Sequence, residues 1–139
     1  MNRQLNEVLG AVRQQLEGVE VERRAAGAGR MASVHAKVDG KPVGGISLDR
    51  RSYDGRAVLA VANIRILRPH RGKGLGKLLY REASRWAREM GLPLASDTVM
   101  EPAVEQGWKA RAARGEAEEI VVRQGRPGEY GAGRAYVEV

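Results

Sequence analysis

Ile64-Arg65-Ile66-Leu67-Arg68-Pro69-His70-Arg71-Gly72-Lys73-Gly74-Leu75-Gly76-Lys77-Leu78-Leu79 is the stretch on which the reading of this chain turns. Upstream of the glycines, Ala57 to Leu67 is apolar on both alternating faces except for Asn63 and Arg65, the pattern of a strand buried on both sides. Downstream, Leu75, Leu78, Leu79, Ala83, Trp86, Ala87 and Met90 form one stripe at helical spacing, with Lys77, Arg81, Arg85 and Arg88 on the opposite face. Gly91 ends that helix and Pro93 prevents its continuation. A strand that runs into a glycine turn and then a helix makes an anion site. The first helical N–H groups lack acceptors, and the macrodipole adds about half a positive charge there. Gly72, Gly74 and Gly76 let the backbone approach a phosphate without interference from a Cβ. Arg71, Lys73 and Lys77 add full charges around it.

Two familiar phosphate loops do not fit. A P-loop needs a Ser or Thr after Gly-Lys, but Gly76-Lys77 is followed by Leu78, and Arg71 stands where its first glycine belongs. A dinucleotide fingerprint fails too: Gly72-x-Gly74 meets Lys77, and Gly74-x-Gly76 meets Leu79, where a third glycine is required.

Working outward, Leu5, Val8, Leu9, Val12 and Leu16 predict an amphipathic helix over residues 3–17, closed by Gly18. Val19 to Arg24 reads as a short strand. Met31 to Val38 and Pro42 to Leu48 flank Asp39-Gly40, a strong hairpin signal because both central positions of a type I′ turn need positive φ. Asp54-Gly55 makes a second turn. Leu92 to Ser96 is a further strand, and Met100 to Arg114 a helix with Val104 and Trp108 on one face. Its start has competing signals in Thr98-x-x-Glu101 and Pro102. Glu119 to Arg123 and Ala135 to Val139 read as a terminal hairpin over a glycine-rich loop. No internal repeat or linker is visible, so residues 1–139 read as one α+β domain.

The charge has the same centre. Residues 65–90 hold Arg65, Arg68, Arg71, Lys73, Lys77, Arg81, Arg85 and Arg88 against Glu82 and Glu89, which accounts for six of the seven net positive charges of the 139-residue chain. A patch of that extent suits a small polyanion as well as a duplex. The chain has no cysteine, which excludes disulfides, thiolate metal sites and cysteine nucleophiles. Two histidines, His35 and His70, cannot assemble a metal cluster, so no metal is expected. No apolar run reaches the ~18 residues of a membrane span, and the first residues lack a secretory h-region. A cytoplasmic protein without membrane contact is expected.

The pattern R/Q-x-x-G-x-G/A, met as Arg71-x-x-Gly74-x-Gly76, resembles the pyrophosphate loop of the GNAT acetyltransferase superfamily. The stretch from Ile64 to Leu79 is similar to that family's fourth strand and third helix, and Val38 to Gly45 to the hairpin between its second and third strands. Ala103 to Gly115 stands where its fourth helix belongs, so the resemblance spans roughly residues 30–123. The ending Trp108-Lys109…Arg114-Gly115 looks most like short phage and prophage acetyltransferases. The resemblance implies an α+β (α/β/α-type) GNAT fold. That is a mixed, mostly antiparallel sheet of about six to seven strands flanked by about three helices, splayed at the acetyl-CoA site. It implies an acetyl-CoA-dependent N-acetyltransferase in which the amine attacks the thioester directly in a ternary complex. Backbone groups of Ile64, Arg65 and Ile66 would pair with the pantetheine arm. N–H groups from Gly72, Lys73, Gly74, Leu75, Gly76 and Lys77 would hold the pyrophosphate beside Arg71, and Lys77 and Arg81 would reach the 3′-phosphate.

The family's usual acid is a tyrosine in the fourth helix. Trp108 stands near that place, and an indole N–H cannot serve as a general acid near neutral pH. Tyr136 and Tyr130 are the substitutes, and solvent is an alternative proton source. Asp97, at the end of the fifth-strand segment, is the candidate base, directly or through a water at Ser96 and Asp97, with a capping role as the competing reading. The acceptor is expected to be an amine-bearing small molecule or protein, in a site that is open or completed by a second subunit of a homodimer. A basic rim argues for an acidic or macromolecular acceptor. Two other readings stay open: a nucleic-acid-binding or nucleic-acid-modifying protein on the same fold, and a non-catalytic CoA-binding interaction protein.

Overall fold

A computed structural model describes residues 18–25, 31–123 and 133–139 of the chain. Within them the elements run β1 (Val19–Ala25), β2 (Met31–Val38), β3 (Lys41–Tyr53), β4 (Arg56–Ile66), a 3₁₀ turn (Arg68–His70), α1 (Leu75–Glu89), β5 (Leu94–Ala95), α2 (Pro102–Ala113), β6 (Ala117–Val122) and β7 (Gly133–Glu138). The expected helix over residues 3–17, the loop before β7 and Tyr130 lie outside the described residues.

The seven strands form one sheet in the order β1-β2-β3-β4-β5-β7-β6. Every neighbouring pair is antiparallel except β4 and β5. The first four strands form a meander, and Asp39-Gly40 and Asp54-Gly55 are turned as expected. Asp39 (φ 50°) and Asp54 (φ 53°) sit in the left-handed region beside Gly40 (φ 76°) and Gly55 (φ 88°). After β4 the chain crosses over through α1 to the parallel strand β5, which requires a connection of helical length.

Each face of the sheet carries its own core. On one, Val34, Ile46, Leu48, Leu59, Val61 and Leu94 pack under Leu75, Leu79, Ala83 and Ala87 of α1 and Trp108 of α2. On the other, Tyr53, Val58, Ala60, Ala95, Val122, Ala135 and Val137 form a second cluster. The period-two alternation of β4 feeds both: Leu59 and Val61 face the helices, Val58 and Ala60 the opposite side. The central strand is thus buried on both faces, but only as far as Val61. From Asn63 its residues alternate between exposed and half-buried.

Candidate active site

The change along β4 has a local cause. Ser47 pairs with Asn63 and Leu48 with Val61, so Ala62 is an extra residue, a bulge that bends the strand. On its other side β4 meets β5 only at Leu59–Leu94 and Ala60–Ala95. Beyond that point β5 turns to β7. Ser96 N–H donates to Tyr136 O at 2.8 Å, and Tyr136 N–H donates to Ser96 Oγ at 2.8 Å. From the bulge to Ile66, one edge of β4 therefore lacks a partner strand among the described residues. The sheet is open there.

The glycine turn stands at the end of this opening. Arg71 Nε donates to Ile66 O at 2.9 Å, tying the loop to the strand tip and occupying one acceptor of the expected pantetheine segment. Gly72 (φ 76°) and Gly74 (φ 85°) are left-handed, and a Cβ at either would meet nothing within 4 Å, so the space beside the loop is open. Gly74 is the N-cap of α1, with no side-chain cap and no acidic residue in the first turn. Its carbonyl takes the first helical bond, from Leu78 N–H at 3.1 Å. The N–H groups of Leu75, Gly76 and Lys77 are left without an intrahelical acceptor. Arg65, Arg68, Arg71, Lys73, Lys77 and Arg81 are all exposed around them, and none pairs with a carboxylate among the described residues. An unpaired cationic rim around free N–H groups is complementary to a pyrophosphate.

On the sheet face away from the helices, a polar network reaches the same opening. Asp49, Arg51 and Tyr53 alternate along β3 and share a face. The buried Arg51 donates through Nε to Asp49 Oδ2 at 3.2 Å, and through Nη1 to Asp97 Oδ1 at 3.1 Å and to Tyr53 Oη at 3.2 Å. Tyr53 Oη donates to Ser96 O at 2.8 Å. Ala60 and Ala95 on that face are small enough to let these long side chains pass over β4. Burial works to lower the Arg51 guanidinium, but Tyr53, Asp97 and Asp49 outweigh it, and the group is held charged. Burial likewise raises the Tyr53 hydroxyl, although Arg51 pulls it down.

Asp97 Oδ1 also accepts from Thr98 N–H at 2.7 Å and Val99 N–H at 3.3 Å. It closes the turn after β5. It does not cap α2, whose N-cap is Glu101 with Pro102 following. Tyr136 is buried, its ring stacked on Trp108 at 6.3 Å and 17°. Trp108 also meets Tyr80 edge-on at 6.0 Å and lies under the Arg111 guanidinium.

The model of the acetyltransferase (GNAT) family matches residues 5–104, most of the chain. The chain belongs to that family. No curated protein sequence matches the acetyltransferase. Solved structures do. It is 28% identical to the aminoglycoside N-acetyltransferase AAC(6′)-Iy in complex with CoA, over 91% of this chain and 96% of that one, with a TM-score of 0.53. An aminoglycoside acetyltransferase from an uncultured soil metagenomic sample, in complex with trehalose, aligns at a TM-score of 0.59 and 14% identity over 80% of this chain and 97% of that one. The ribosomal-protein-alanine N-acetyltransferase of Brucella melitensis biovar Abortus 2308 aligns at 0.53 and 19% identity, over 69% and 90%. The fold expected from the sequence is the fold observed, an α+β sheet splayed beside a glycine loop. The protein is an acetyl-CoA-dependent N-acetyltransferase.

The acetyltransferase brings the sequence-derived residues together in two groups. Ile64, Arg65, Ile66 and residues 71–77 line the splay and the loop, and Asp97 and Tyr136 flank the end of β5. Sequence reasoning missed Asp49, Arg51 and Tyr53. Their signal was a polar alternation at period two directly after an apolar strand pattern.

Proposed function

We propose that the pyrophosphate of acetyl-CoA rests on the N–H groups between Gly72 and Lys77, with Arg71 and Lys73 beside it and Lys77 and Arg81 toward the 3′-phosphate. The pantetheine arm then runs along the open edge of β4 at Ile64 and Arg65. The observation that carries this reading is the join between the loop and the splay: the free helix N-terminus begins where β4 has lost its neighbour. The open positions at Gly72 and Gly74 and the unpaired cations fit such a ligand. In the reaction the amine nitrogen bonds to the acetyl carbon while carbon–sulfur bonding is lost. This chain positions both partners and moves the protons. Asp97 Oδ2, which takes part in no hydrogen bond among the described residues, is our proton acceptor, directly or through one water. Tyr136 we assign a supporting place, holding Trp108 by stacking and Ser96 through its backbone.

For the acceptor we propose a small, amine-bearing and cationic molecule. Asp49 and Asp97 lie beside the opening with about a quarter of each side chain exposed (25% and 23%), whereas the Arg51 they share is 6% exposed. This supports a cation over the acidic acceptor that the basic rim suggested, because that rim belongs to the phosphate side. Similarity to aminoglycoside acetyltransferases favours the same class.

Calorimetry with CoA and 3′-dephospho-CoA tests the donor site. Gly74→Ala should weaken CoA binding at least tenfold by placing a Cβ where the phosphate approaches, and its left-handed φ predicts a separate stability cost of about 1–2 kcal/mol. Lys77→Ala should lose more affinity for CoA than for 3′-dephospho-CoA. Wild-type protein that binds neither ligand would end the proposal, and equal losses would move Lys77 away from the 3′-phosphate.

A further inference from the structure

On the face away from the helices, the sheet changes character along β3. The apolar cluster there takes Tyr53 from β3 and Val58 and Ala60 from β4, and no described residue of β1 or β2 joins it. A polar floor stands in its place. Strand pairing sets Ser33, Ser47 and Asn63 side by side across β2, β3 and β4, with His35 beside Gly45 in the next row. Val34, Ile46 and Leu48 pack toward the helices, so alternation turns Ser33, His35, Ser47 and Asp49 the other way. Ser33, His35 and Ser47 are half-buried, and Asn63, next to the bulge of β4, is exposed.

Gly45 shapes this floor. A Cβ there would stand 3.2 Å from His35 Nδ1 and 3.6 Å from its Cε1, so that edge of the imidazole overhangs the glycine. His35 Nε2 and Ser33 Oγ are 2.8 Å apart, which fixes the ring, and Nδ1 makes no hydrogen bond among the described residues. Burial, Arg24 and Lys37 lower the imidazole from its ordinary value against the pull of Glu22, so the ring is neutral at neutral pH. A neutral imidazole, two serine hydroxyls and an asparagine amide share one property: each can both donate and accept a hydrogen bond. An alcohol does the same, whereas a carboxylate only accepts and an ammonium only donates. Neighbouring strands lie about 4.8 Å apart and successive residues about 3.3 Å, so the floor from His35 to Asn63 and Asp49 measures roughly 10 by 13 Å. That is room for a saccharide-sized ring system.

We infer that this floor binds the polyhydroxylated ring of the acceptor, with His35 and Ser47 as specificity-determining residues; this rests on the donor site and the cationic acceptor proposed above. The acceptor is then an amino sugar or amino cyclitol, not a linear polyamine. Its ammonium groups meet Asp49 and Asp97, and its reacting nitrogen stands at the open edge of β4 beside Asn63. Its ring hydroxyls extend over Ser47 to His35 Nδ1. A linear polyamine would meet the same two carboxylates and leave the floor unused. Groups built to bond a hydroxyl reject an analogue that lacks it, because they are left unpaired. Half-buried groups stay partly hydrated, so the discrimination here is about tenfold, below that of a sealed pocket.

Calorimetry on protein saturated with CoA, which has no acetyl group to give, tests this with two diamines of the same ring. One is 2-deoxystreptamine, which carries ring hydroxyls, and the other is cis-cyclohexane-1,3-diamine, which has none, both at a pH where they are fully charged. The wild type should bind the first about tenfold more tightly. Ser47→Ala removes one hydroxyl and leaves the strand's backbone bonds in place. It should cost about three- to tenfold on 2-deoxystreptamine and less than about twofold on the bare diamine. His35→Ala should do the same, and Gly45→Ala should match it by pushing the imidazole aside, with CoA affinity kept in all three. Equal affinity of the wild type for the two diamines, or variants that weaken both alike, would overturn the inference alone. Protein that binds CoA but neither diamine would remove it together with the cationic acceptor. Protein that binds no CoA would remove it together with the donor site.

Discussion

Asp97 divides its work between two oxygens. Oδ1 accepts from Arg51, Thr98 and Val99, which fixes the turn after β5, and Oδ2, which takes part in no hydrogen bond among the described residues, is our proposed proton acceptor. The competing reading, a helix-entry cap, is not what Asp97 forms, since Glu101 is the N-cap of α2; the turn it closes instead uses Oδ1 and is compatible with the proposed role of Oδ2. Asp97→Asn separates them. Its amide keeps an acceptor oxygen for the turn, since Asn accepts there about as well as Asp, and the ion pair of a quarter-exposed carboxylate with the buried Arg51 becomes a charge-assisted hydrogen bond, while Asp49 still pairs with Arg51. Stability should therefore drop by no more than about 1 kcal/mol. Acetyl transfer should slow by about 10²–10⁴-fold with CoA affinity kept. Near-normal turnover by this variant would leave Asp97 as a turn residue only, and the amine would have to reach the site already neutral.

Among the elements, β4, the glycine turn and α1 were legible from the chain alone because their signals are local: period two, alternate glycines, then period 3.6. The two Asp-Gly turns were legible for the same reason. β3 was not. Its apolar pattern fades at Leu48, where the expected strand stops, yet the strand continues to Tyr53, with Arg51 neutralised by Asp97, a residue 46 positions away. No window of sequence contains that partner. β5 was overdrawn in the other direction, as Leu92 to Ser96, because Ser96 leaves β4 for β7. α2 offered little to read, since Trp108 is its one fully buried residue. The tie between β3 and β5 can be measured. Arg51→Met keeps the volume but takes the shared cation from Asp49 and Asp97, while Tyr53 keeps its bond to Ser96 O, and urea unfolding should show a loss of about 2–4 kcal/mol, toward the lower end because both carboxylates are partly exposed. A loss within about 0.5 kcal/mol, the ordinary range of a surface substitution, would show that the network does not hold the two strands.

Across the whole molecule the two sheet faces divide the labour. The helix side carries the loop, the cations and the Tyr80–Trp108 pair, and the far side carries the Asp49–Arg51–Asp97 network, with the splay joining them. Carboxylates on the described surface are largely matched elsewhere: Glu82 and Glu89 with Arg23, Glu22 with Lys37, Glu138 with Arg111, Glu118 with Arg56. The exposed cations of the loop end are not. An uncompensated charge at one pole acts at a distance, before any contact forms. At physiological ionic strength its reach is about 8 Å, and at lower salt it lengthens. The protein should therefore draw a polyanionic nucleotide toward the correct end, and collisions with CoA should be productive more often than chance orientation allows. Stopped-flow association rates should rise at least several-fold between about 150 and 10 mM salt while dissociation rates change little. Lys73→Glu should flatten that dependence. A rate indifferent to salt would mean that CoA finds its site by unguided diffusion.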